Sequence, residues 1–535
     1  MTRARGDDQP QADGARDPAG ARDPATAREP ARAGGPAARA TARGTARGRK
    51  EAPARSRAGA RTSAAARRPA TLGELRAAGY RPRTVKQEMR ANLVARLAAG
   101  ERLFPGIVGY EETVVPAVEN AILAGQDLVF LGERGQAKTR MARLLVELLD
   151  EAIPVVAGSE LHDDPFAPLS AAGRELVAAR GDGTPVDWLP RDRRYGEKLA
   201  TPDITIADLI GEVDPIKVAE GRYLSDETTI HFGLIPRTNR GIFAINELPD
   251  LAERIQVGLL NILEERDVQV RGYTVRLPLD LFVVASANPE DYTSRGRIIT
   301  PLKDRLGSQI RTHYPRTLDD EISIMRQERM RFEDVPGGPR LEEPHHMLEV
   351  VAEISHLARR APEVSQRSGV SVRVSTSNLE TLLANAYRRA VRLGEPSAAP
   401  RVSDLVALLP STVGKIELET VGDIIPEERI VERLVNRSVL AVFGRLLSGD
   451  PTDEVVAAFD AGLQVETGEM VPSREYVHLA REVPGLGAAV ARLGAGDSPA
   501  AIASGVEFVL EGLHLQRRLN KERHAAVGGG GTYRR

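Results

Sequence analysis

The segment Gly132–Thr139, which reads GERGQAKT, combines the residue types that bind nucleotide phosphates. It follows the apolar stretch Asp127–Leu131, typical of a short buried strand, and precedes apolar residues that recur with helical spacing. In this context a glycine-rich loop offers backbone N–H groups to phosphates, Lys138 would reach the β- and γ-phosphates, and the Thr139 hydroxyl would bind Mg²⁺. Ala137 replaces the second glycine of the usual G-x-x-x-x-G-K-S/T pattern, so the backbone there must accept a Cβ. The competing interpretation is an ordinary glycine turn before a helix.

Polar residues also stand at the ends of two further apolar segments. Gly241–Ile245 and Leu281–Ala285 lack the alternation of a half-exposed strand, which predicts parallel strands covered on both faces. After the first, Glu247 can act as a general base toward water, whereas Asn246 can accept a hydrogen bond from a Mg²⁺-bound water but brings no charge. Asn288 follows the second strand and could orient the attacking water. Taken alone, each position is also what an ordinary strand exit or turn contains.

The composition excludes several classes of protein. The 535 residues include 73 Lys and Arg, 75 Asp and Glu and no cysteine, and 41% are hydrophobic, a length sufficient for two or three domains. The absence of cysteine excludes disulfide frameworks, Cys-based zinc sites, iron–sulfur clusters and cysteine nucleophiles. Apolar runs no longer than a strand, and an N-terminus without an apolar region, indicate neither a membrane span nor a secretory signal, so we expect a cytoplasmic protein.

The basic residues are concentrated near the N-terminus. Residues 1–70 contain 16 Arg and Lys against 7 Asp and Glu, so the rest of the chain is acidic. Between Thr2 and Ala70 there is no Val, Leu, Ile, Phe, Tyr or Trp, which predicts a disordered tail because nothing there can offset the entropy of folding. An Arg-rich coil attracts phosphates, so nucleic acid is a conceivable partner of this tail alone. The lack of stacking aromatic residues favours the alternative, a solvated tail.

Changes of pattern along the chain predict its organisation. A helical lead-in is expected at 71–103, an α/β nucleotide-binding core at 104–315, a helical lid at 316–410 and a helical extension with a flexible end at 411–535. Within the core we predict a second strand at Ile153–Ala157 and a hairpin at Val268–Val275. The polar region between that strand and about residue 200, which contains the single Trp188, stays unassigned. Within the extension we predict helices at Ile430–Leu446 and Pro499–Glu522.

Together the motifs resemble those of AAA+ ATPases of the magnesium-chelatase I-subunit and MoxR type. The resemblance covers about residues 104–393 and is carried by FPGIVG, GERGQAKT, GIFAINELPDL, QVRGYTVRLP, VVASANPED, PLKDRLGSQI and SVRVSTSNLE. It implies an α/β P-loop core with a parallel sheet of strand order 5-1-4-3-2, a separate helical lid, a hairpin before the fourth strand, and a ring, usually of six subunits. The region beyond residue 410 resembles the C-terminal extension of actinobacterial chelatase-like proteins.

Matched position by position, the resemblance implies roles for individual residues. The catalytic residues would be Glu247 in Walker B, Asn288 as sensor 1, Arg305 as the arginine finger, with Arg297 as the second candidate, and Arg373 as sensor 2. The nucleotide would contact Ile107, Val108, Gly109, Gly132, Gly135, Gln136, Ala137, Lys138, Thr139 and Arg140. Thr139 and Asn246 would hold Mg²⁺, so the implied cofactors are ATP and Mg²⁺. An arginine finger acts on a neighbour's γ-phosphate, so activity would require assembly.

These implications lead to two classes of function. The first is an ATP-hydrolysing ring that remodels a partner or loads metal into it, through a protein with a von Willebrand factor A domain. True magnesium chelation into protoporphyrin is a narrower form of it. The second class is a nucleotide-gated scaffold or regulator that binds ATP with little hydrolysis, and the uncharged Asn246 is the feature that favours it.

Overall fold

The computed structural model describes most of residues 67–535. Within that range the description leaves out residues 215, 217–228, 265–267, 271–272, 276, 289–296, 333–334, 366–368, 418–425, 448–451 and 524–528. Residues 1–66 are also left out. The predicted disordered tail at residues 1–70 therefore lies almost wholly outside the described residues.

The part of the chain up to residue 311 combines helices, a central sheet and small β-hairpins. Its helices are α1 (Leu72–Ala77), α2 (Val85–Ala98), α3 (Val114–Ala124), α4 (Lys138–Leu144), α5 (Ala171–Arg180), α6 (Ile206–Leu209), α7 (Leu234–Arg237), α8 (Glu253–Glu264) and α9 (Thr300–Arg305). Its strands are β1 (Leu128–Leu131), β2 (Ala152–Val156), β3 (Val186–Pro190), β4 (Tyr195–Leu199), β5 (Gly211–Val213), β6 (Ile230–Phe232), β7 (Gly241–Asn246), β8 (Val268–Val270), β9 (Tyr273–Val275), β10 (Leu281–Ala287) and β11 (Ser308–Arg311). The predicted hairpin is formed by β8 and β9.

The central sheet has five strands in the order β11-β1-β10-β7-β4, and all neighbouring pairs are parallel. Counted along the chain, this is the order 5-1-4-3-2, so the predicted topology is confirmed. The register places Leu131 opposite both Ala287 and Arg311, and Asn246 opposite Leu199. The carboxyl ends of the strands therefore meet at one edge, where open α/β sheets bind their ligands.

Both faces of this sheet are covered, which explains the unbroken apolar runs of its three interior strands, β1, β10 and β7. On one face Leu128 and Phe130 belong to a core shared with α2, α3 and α4. On the other face Val129, Phe243 and Ile245 pack with α8 and α9. Alternate side chains of the interior strands thus enter different cores and fix the sheet between two helical layers.

The second strand of the sheet is not the one predicted from the sequence. The apolar segment at residues 152–156 forms β2, which pairs antiparallel with β3 outside the five-stranded sheet. The core position belongs to β4, in the region that sequence reasoning left unassigned. Within the described residues β4 pairs only with β7, so it is an edge strand, and it carries polar residues such as Glu197 and Lys198. A long apolar run is not required at an edge, which is why hydrophobic patterning overlooked it.

A buried ion pair anchors the start of β4. The guanidinium of Arg194, only 1% exposed, donates to both carboxylate oxygens of Glu88 on α2, each at 2.7 Å. Arg194 Nε also donates to the carbonyl oxygen of Arg240, next to the start of β7. Removing one partner of such a pair leaves an uncompensated buried charge, so these contacts hold β4 firmly against its neighbour.

The remainder of the chain is mainly helical. Its helices are α10 (Leu318–Glu328), α11 (His345–Ala358), α12 (Val372–Leu393), α13 (Leu409–Thr412), α14 (Glu427–Leu446), α15 (Thr452–Asp460), α16 (Ser473–Glu482), α17 (Leu486–Arg492) and α18 (Pro499–Leu515). Its strands are β12 (Arg340–Leu341), β13 (Ser397–Ala398), β14 (Val465–Thr467), β15 (Asn520–Arg523) and β16 (Gly531–Arg534). One hydrophobic core runs from the lid helices α10–α12 through α14–α18 to β16. Among the described helices none combines the length and apolar character needed to cross a bilayer.

The C-terminal end differs from the sequence-based expectation. The last helix ends at Leu515 rather than at the predicted Glu522, and residues 520–523 form β15. The flexible tail predicted at residues 528–531 lies partly outside the described residues, and its last residue, Gly531, begins β16, which pairs with β14 and β15 and buries Tyr533. Pairing of β15 with β16 outweighs the local helical pattern, because local propensity is a weak determinant when strand pairing competes with it.

Candidate functional site

The loop between β1 and α4 is tightly packed. A Cβ on Gly132 would overlap the side chain of Thr312, and a Cβ on Gly135, whose φ is +79°, would overlap the hydroxyl of Ser371. Ala137 has φ 56° and ψ 14°, a left-handed conformation that costs a residue with a Cβ about 1 kcal/mol. Ala137 thus occupies a backbone conformation that glycine adopts more easily.

Lys138 lies at the start of α4 and is 7% exposed. Its Nζ donates hydrogen bonds to the carbonyl oxygen of Gly132, to that of Glu133 at 2.9 Å, and to Asn288 Oδ1 at 2.7 Å. Two loop carbonyls and one side-chain amide therefore hold the ammonium group at the carboxyl edge of the sheet.

Asn288 and Glu247 follow adjacent parallel strands, β10 and β7, and their side chains meet. Asn288 Nδ2 donates to Glu247 Oε2 at 2.8 Å, while its Oδ1 accepts from Lys138. Glu247 has φ 56° and ψ 49°, and its backbone N–H donates to Ser286 Oγ at 3.2 Å. A non-glycine residue in this left-handed region is uncommon, and such strained residues cluster at functional sites. The Asn288 amide thus links the Lys138 ammonium group to the Glu247 carboxylate.

Asn246, at the end of β7, lies between the P-loop helix and the edge strand. Thr139 Oγ1 donates to Asn246 Oδ1 at 3.3 Å, and Asn246 Nδ2 donates to Glu197 Oε1 at 2.7 Å. Arg143 on α4 donates to both oxygens of Glu197, at 2.7 and 2.9 Å. This hydrogen bonding, together with the charge of Arg143, lowers the pKa of the Glu197 carboxyl. Sequence reasoning missed Glu197, because the short polar segment YGEKL of β4 gives no clear strand signal.

The segment Ile107–Tyr110, which includes three residues expected to contact the nucleotide, lies between the P-loop and the lid. The Tyr110 hydroxyl lies 2.7 Å from the carbonyl oxygen of His313 and 3.1 Å from that of Gln136. Burial raises the pKa of Tyr110 to about 12, so its hydroxyl stays a donor at neutral pH. Two contacts of α10 border the segment: Glu328 pairs with Arg140 on α4, and Gln327 donates to the carbonyl oxygen of Gly106 at 2.8 Å.

The lid contacts the P-loop directly through the residues that precede and begin α12. Ser371 is the N-cap of α12 and packs against Gly135. Gly369 has φ +63°, and a Cβ there would meet the Glu133 carboxylate and the Tyr314 hydroxyl, so glycine suits this position. Arg373, the expected sensor 2, is exposed two residues beyond Ser371. The structure therefore locates Arg373 at the end of the lid that touches the P-loop.

The two arginine-finger candidates lie elsewhere on the core. Arg305 is the last residue of α9, just before β11, and is exposed. Arg297 precedes α9 and is also exposed. Exposure suits a side chain that acts on a neighbouring subunit, so the choice between the two stays a prediction.

Comparisons with known proteins find distant similarities. A scan against models of protein families finds no match. A stretch of 117 residues is 26% identical to the acetoin dehydrogenase operon transcriptional activator AcoR of Bacillus subtilis, and it spans 22% of this chain and 19% of that protein. The chain thus covers about a fifth of the length of this curated relative.

Solved structures similar to this chain include NtrX from Brucella abortus in complex with ATP, at 16% identity and a TM-score of 0.38, over 66% of this chain and 67% of that one. A structure of the complex between subunits BchI and BchD of magnesium chelatase matches at 21% identity and a TM-score of 0.31, over 62% of this chain and 97% of that one. The order of the parallel strands and the loop between the first strand and its helix, rather than these similarities, identify the fold. The chain has an α/β core with a parallel sheet of order 5-1-4-3-2 and a P-loop after its first strand, followed by helical regions.

Proposed function

We propose that this chain is an AAA+ ATPase that binds and hydrolyses Mg-ATP. The observation that carries the proposal is the chain of contacts from Lys138 through Asn288 to Glu247, with distances of 2.7 and 2.8 Å. A cation suited to phosphates and a carboxylate suited to activating water lie at one edge of the sheet, separated by a single amide. Phosphoryl transfer to water needs this combination of charge stabilisation and a positioned base.

In the proposed reaction a water oxygen forms a bond to the γ-phosphorus while the bond from that phosphorus to the β–γ bridging oxygen breaks. The proton of the water passes to the Glu247 carboxylate. Lys138 stabilises the negative charge on the phosphate oxygens, and Asn288 holds the water next to the base. The products are ADP and inorganic phosphate.

The oxygen donors near Thr139 suit magnesium. The Thr139 hydroxyl and the Asn246 amide oxygen lie 3.3 Å apart, and Mg²⁺ prefers oxygen ligands and retains several of its waters. Thr139 and Asn246 would hold the ion, directly or through such waters. When bound, Mg²⁺ neutralises charge on the β- and γ-phosphates.

The proposal extends to assembly and partners. Arg305 would act as an arginine finger on the γ-phosphate of a neighbouring subunit and Arg373 as sensor 2, within a homo-oligomeric ring, usually a hexamer in proteins with these motifs. The exposure of Arg305 and the contact of the start of α12 with the P-loop support these roles. The ring would remodel a partner or load metal into it, through a protein with a von Willebrand factor A domain. The motif resemblance in the sequence supports this part of the proposal.

A second candidate is a nucleotide-gated scaffold or regulator with little hydrolysis. Asn246 favours it, because an amide attracts Mg²⁺ less strongly than the aspartate that usually occupies this position. A true magnesium chelatase subunit is the narrower form of the first candidate. The helical extension beyond residue 410 makes this narrower form less favoured than a general remodelling ATPase.

Nucleotide binding and steady-state phosphate release test these candidates. Lys138→Ala is expected to lose affinity for a fluorescent ATP analogue, while Lys198→Ala on the edge strand keeps it. Unchanged affinity in Lys138→Ala contradicts the P-loop assignment. Glu247→Gln is expected to bind the analogue and release phosphate at least a hundredfold more slowly than wild type, the scale of a lost general base. A wild type that binds but is as slow as Glu247→Gln contradicts the ATPase and favours the scaffold.

A further inference from the structure

The side-chain amide of Asn246 is held in one orientation by its neighbours. It is 8% exposed, and its NH₂ group lies 2.7 Å from Glu197 Oε1. Its oxygen faces two hydroxyls, Thr139 Oγ1 at 3.3 Å and Ser286 Oγ at 3.4 Å. Each hydroxyl can donate to that oxygen, so the two sides of the amide have distinct partners.

Glu197 decides which way this amide points. Arg143 donates two hydrogen bonds to Glu197, a bidentate geometry that requires the ionised carboxylate. An ionised carboxylate only accepts hydrogen bonds, so the group of Asn246 that faces it must be the NH₂. The amide oxygen is thereby turned toward Thr139. With the opposite orientation, NH₂ hydrogens would face the Thr139 side, where they would repel a cation.

Glu197 is itself held from several directions. Arg143 lies four residues after Thr139 on α4, so the helix that carries Thr139 also carries the partner of Glu197. The parallel register places Glu197 opposite Ala244 on β7, two residues before Asn246. The buried pair formed by Arg194 anchors the start of the same strand. Glu197 is thus part of a closed arrangement of α4, β4 and β7.

We propose that Glu197 is a positioning residue that turns the oxygen of Asn246 toward Thr139 and so makes an asparagine usable on the magnesium side of the site. The inference rests on the proposed function, because it assumes that Mg-ATP binds at Thr139. It also gives a reason for the asparagine. An aspartate at 246 would put a second carboxylate within hydrogen-bonding distance of Glu197, and two carboxylates so close repel each other. Asn246 and Glu197 therefore form a matched pair.

The first test measures how much Mg²⁺ tightens the binding of a fluorescent ATP analogue. Its dissociation constant is determined in excess Mg²⁺ and in EDTA for wild type, Glu197→Leu and the control Lys198→Leu. Lys198 is the next residue on β4, so its side chain points to the other face of the sheet. In Glu197→Leu the dissociation constant in EDTA divided by that in Mg²⁺ is expected to fall about tenfold, the scale of one lost hydrogen bond to a charged group. The affinity in EDTA is expected to stay unchanged. Lys198→Leu is expected to keep the wild-type ratio.

An unchanged ratio in Glu197→Leu overturns the inference. Equal loss of affinity in Mg²⁺ and in EDTA also overturns it, because Glu197 would then support the P-loop as a whole. A wild type that does not bind the analogue, or binds it without any effect of Mg²⁺, contradicts the proposed function as well. Failure of the positioning role and failure of the proposed function therefore give different results.

A second test exchanges the charge between the two positions and does not depend on the leucine variant folding well. Asn246→Asp alone is expected to lower the Mg²⁺ ratio, because the new carboxylate faces Glu197. The double variant Asn246→Asp with Glu197→Gln is expected to restore the ratio to at least the wild-type value. If Asn246→Asp raises the ratio to the same extent with and without Glu197, the two residues are not coupled and the inference is wrong.

Discussion

Glu321 on α10 is a buried carboxylate of the lid, and its charge has a predictable effect on stability. Its side chain is fully buried and accepts hydrogen bonds from Arg359 at 2.7 and 3.0 Å and from Ser375, while His356 Nε2 lies 3.4 Å away. Burial alone would raise the pKa of Glu321, but these partners outweigh it and hold the pKa at about 2. The Arg359 guanidinium also lies over the ring of Tyr314, so the cluster joins the lid to the end of the core.

The size and sign of the effect follow from this pKa. A decrease from the ordinary 4.5 to about 2 corresponds to roughly 3 kcal/mol of stability. Because the pKa is lowered in the folded protein, this contribution is fully present above about pH 4.5 and is lost as the pH falls toward 2. Glu321→Gln removes the charge at every pH. The variant should therefore be less stable than wild type by roughly 3 kcal/mol at pH 7, with a difference that shrinks between pH 4.5 and 2.

Hydrogen exchange at pH 7, measured by mass spectrometry, can report this loss for peptides from α10, α11 and α12 separately from the rest of the chain. Urea unfolding at pH 7 and pH 3, followed by circular dichroism, tests the pH dependence. Glu380→Gln on α12 is the control: its carboxylate is partly exposed and accepts one backbone hydrogen bond, so its effect should stay below about 1 kcal/mol. A difference between wild type and Glu321→Gln that is as large at pH 3 as at pH 7 would refute the assignment of this stability to the charge.

Three further predictions concern the lid contact, the C-terminal strand and assembly. Gly135→Ala should push the lid away through Ser371 and weaken binding of the ATP analogue at least tenfold. Gly337→Ala, also at positive φ but with open space around it, should leave binding of the analogue unchanged. Equal losses of affinity in the two variants would contradict a specific clash. Tyr533→Ala should lower the stability of the extension by about 3–5 kcal/mol, and Tyr533→Phe, which removes only the hydrogen bond to Glu511, by about 1 kcal/mol, as measured by thermal unfolding. Arg305→Ala should assemble like wild type in light scattering but release no phosphate, and full activity would transfer the finger to another arginine.

Much of the core was predictable because its signals are local. The P-loop lies between an apolar strand and an amphipathic helix, and the strands that lead to Asn246 and Asn288 are uniformly apolar because both faces are buried. Residues at the carboxyl ends of parallel strands come together whatever the connections between them. The proximity of Lys138, Asn288 and Glu247 therefore follows from the motifs once the strand order is known.

Two other features of the fold could not be predicted from local sequence patterns. The true second strand, β4, is a polar edge strand, and the more apolar segment Ala152–Val156 pairs elsewhere. The residues at 520–523 look helical in isolation and form a strand only because β16 pairs with them. In both cases pairing with another strand, which helical or apolar patterns do not record, decided the conformation.

By itself the sequence determined the phosphate-binding loop, the polar strand ends, the fold class and the acidic character of the chain beyond its basic tail. Only the tertiary structure decided that Glu197 faces Asn246, that Ser371 of the lid touches Gly135, and that the lid and the extension share one hydrophobic core. The physical reason is the range of the interactions. Helical periodicity and loop chemistry depend on neighbours a few residues apart, whereas these contacts join residues that lie far apart along the chain.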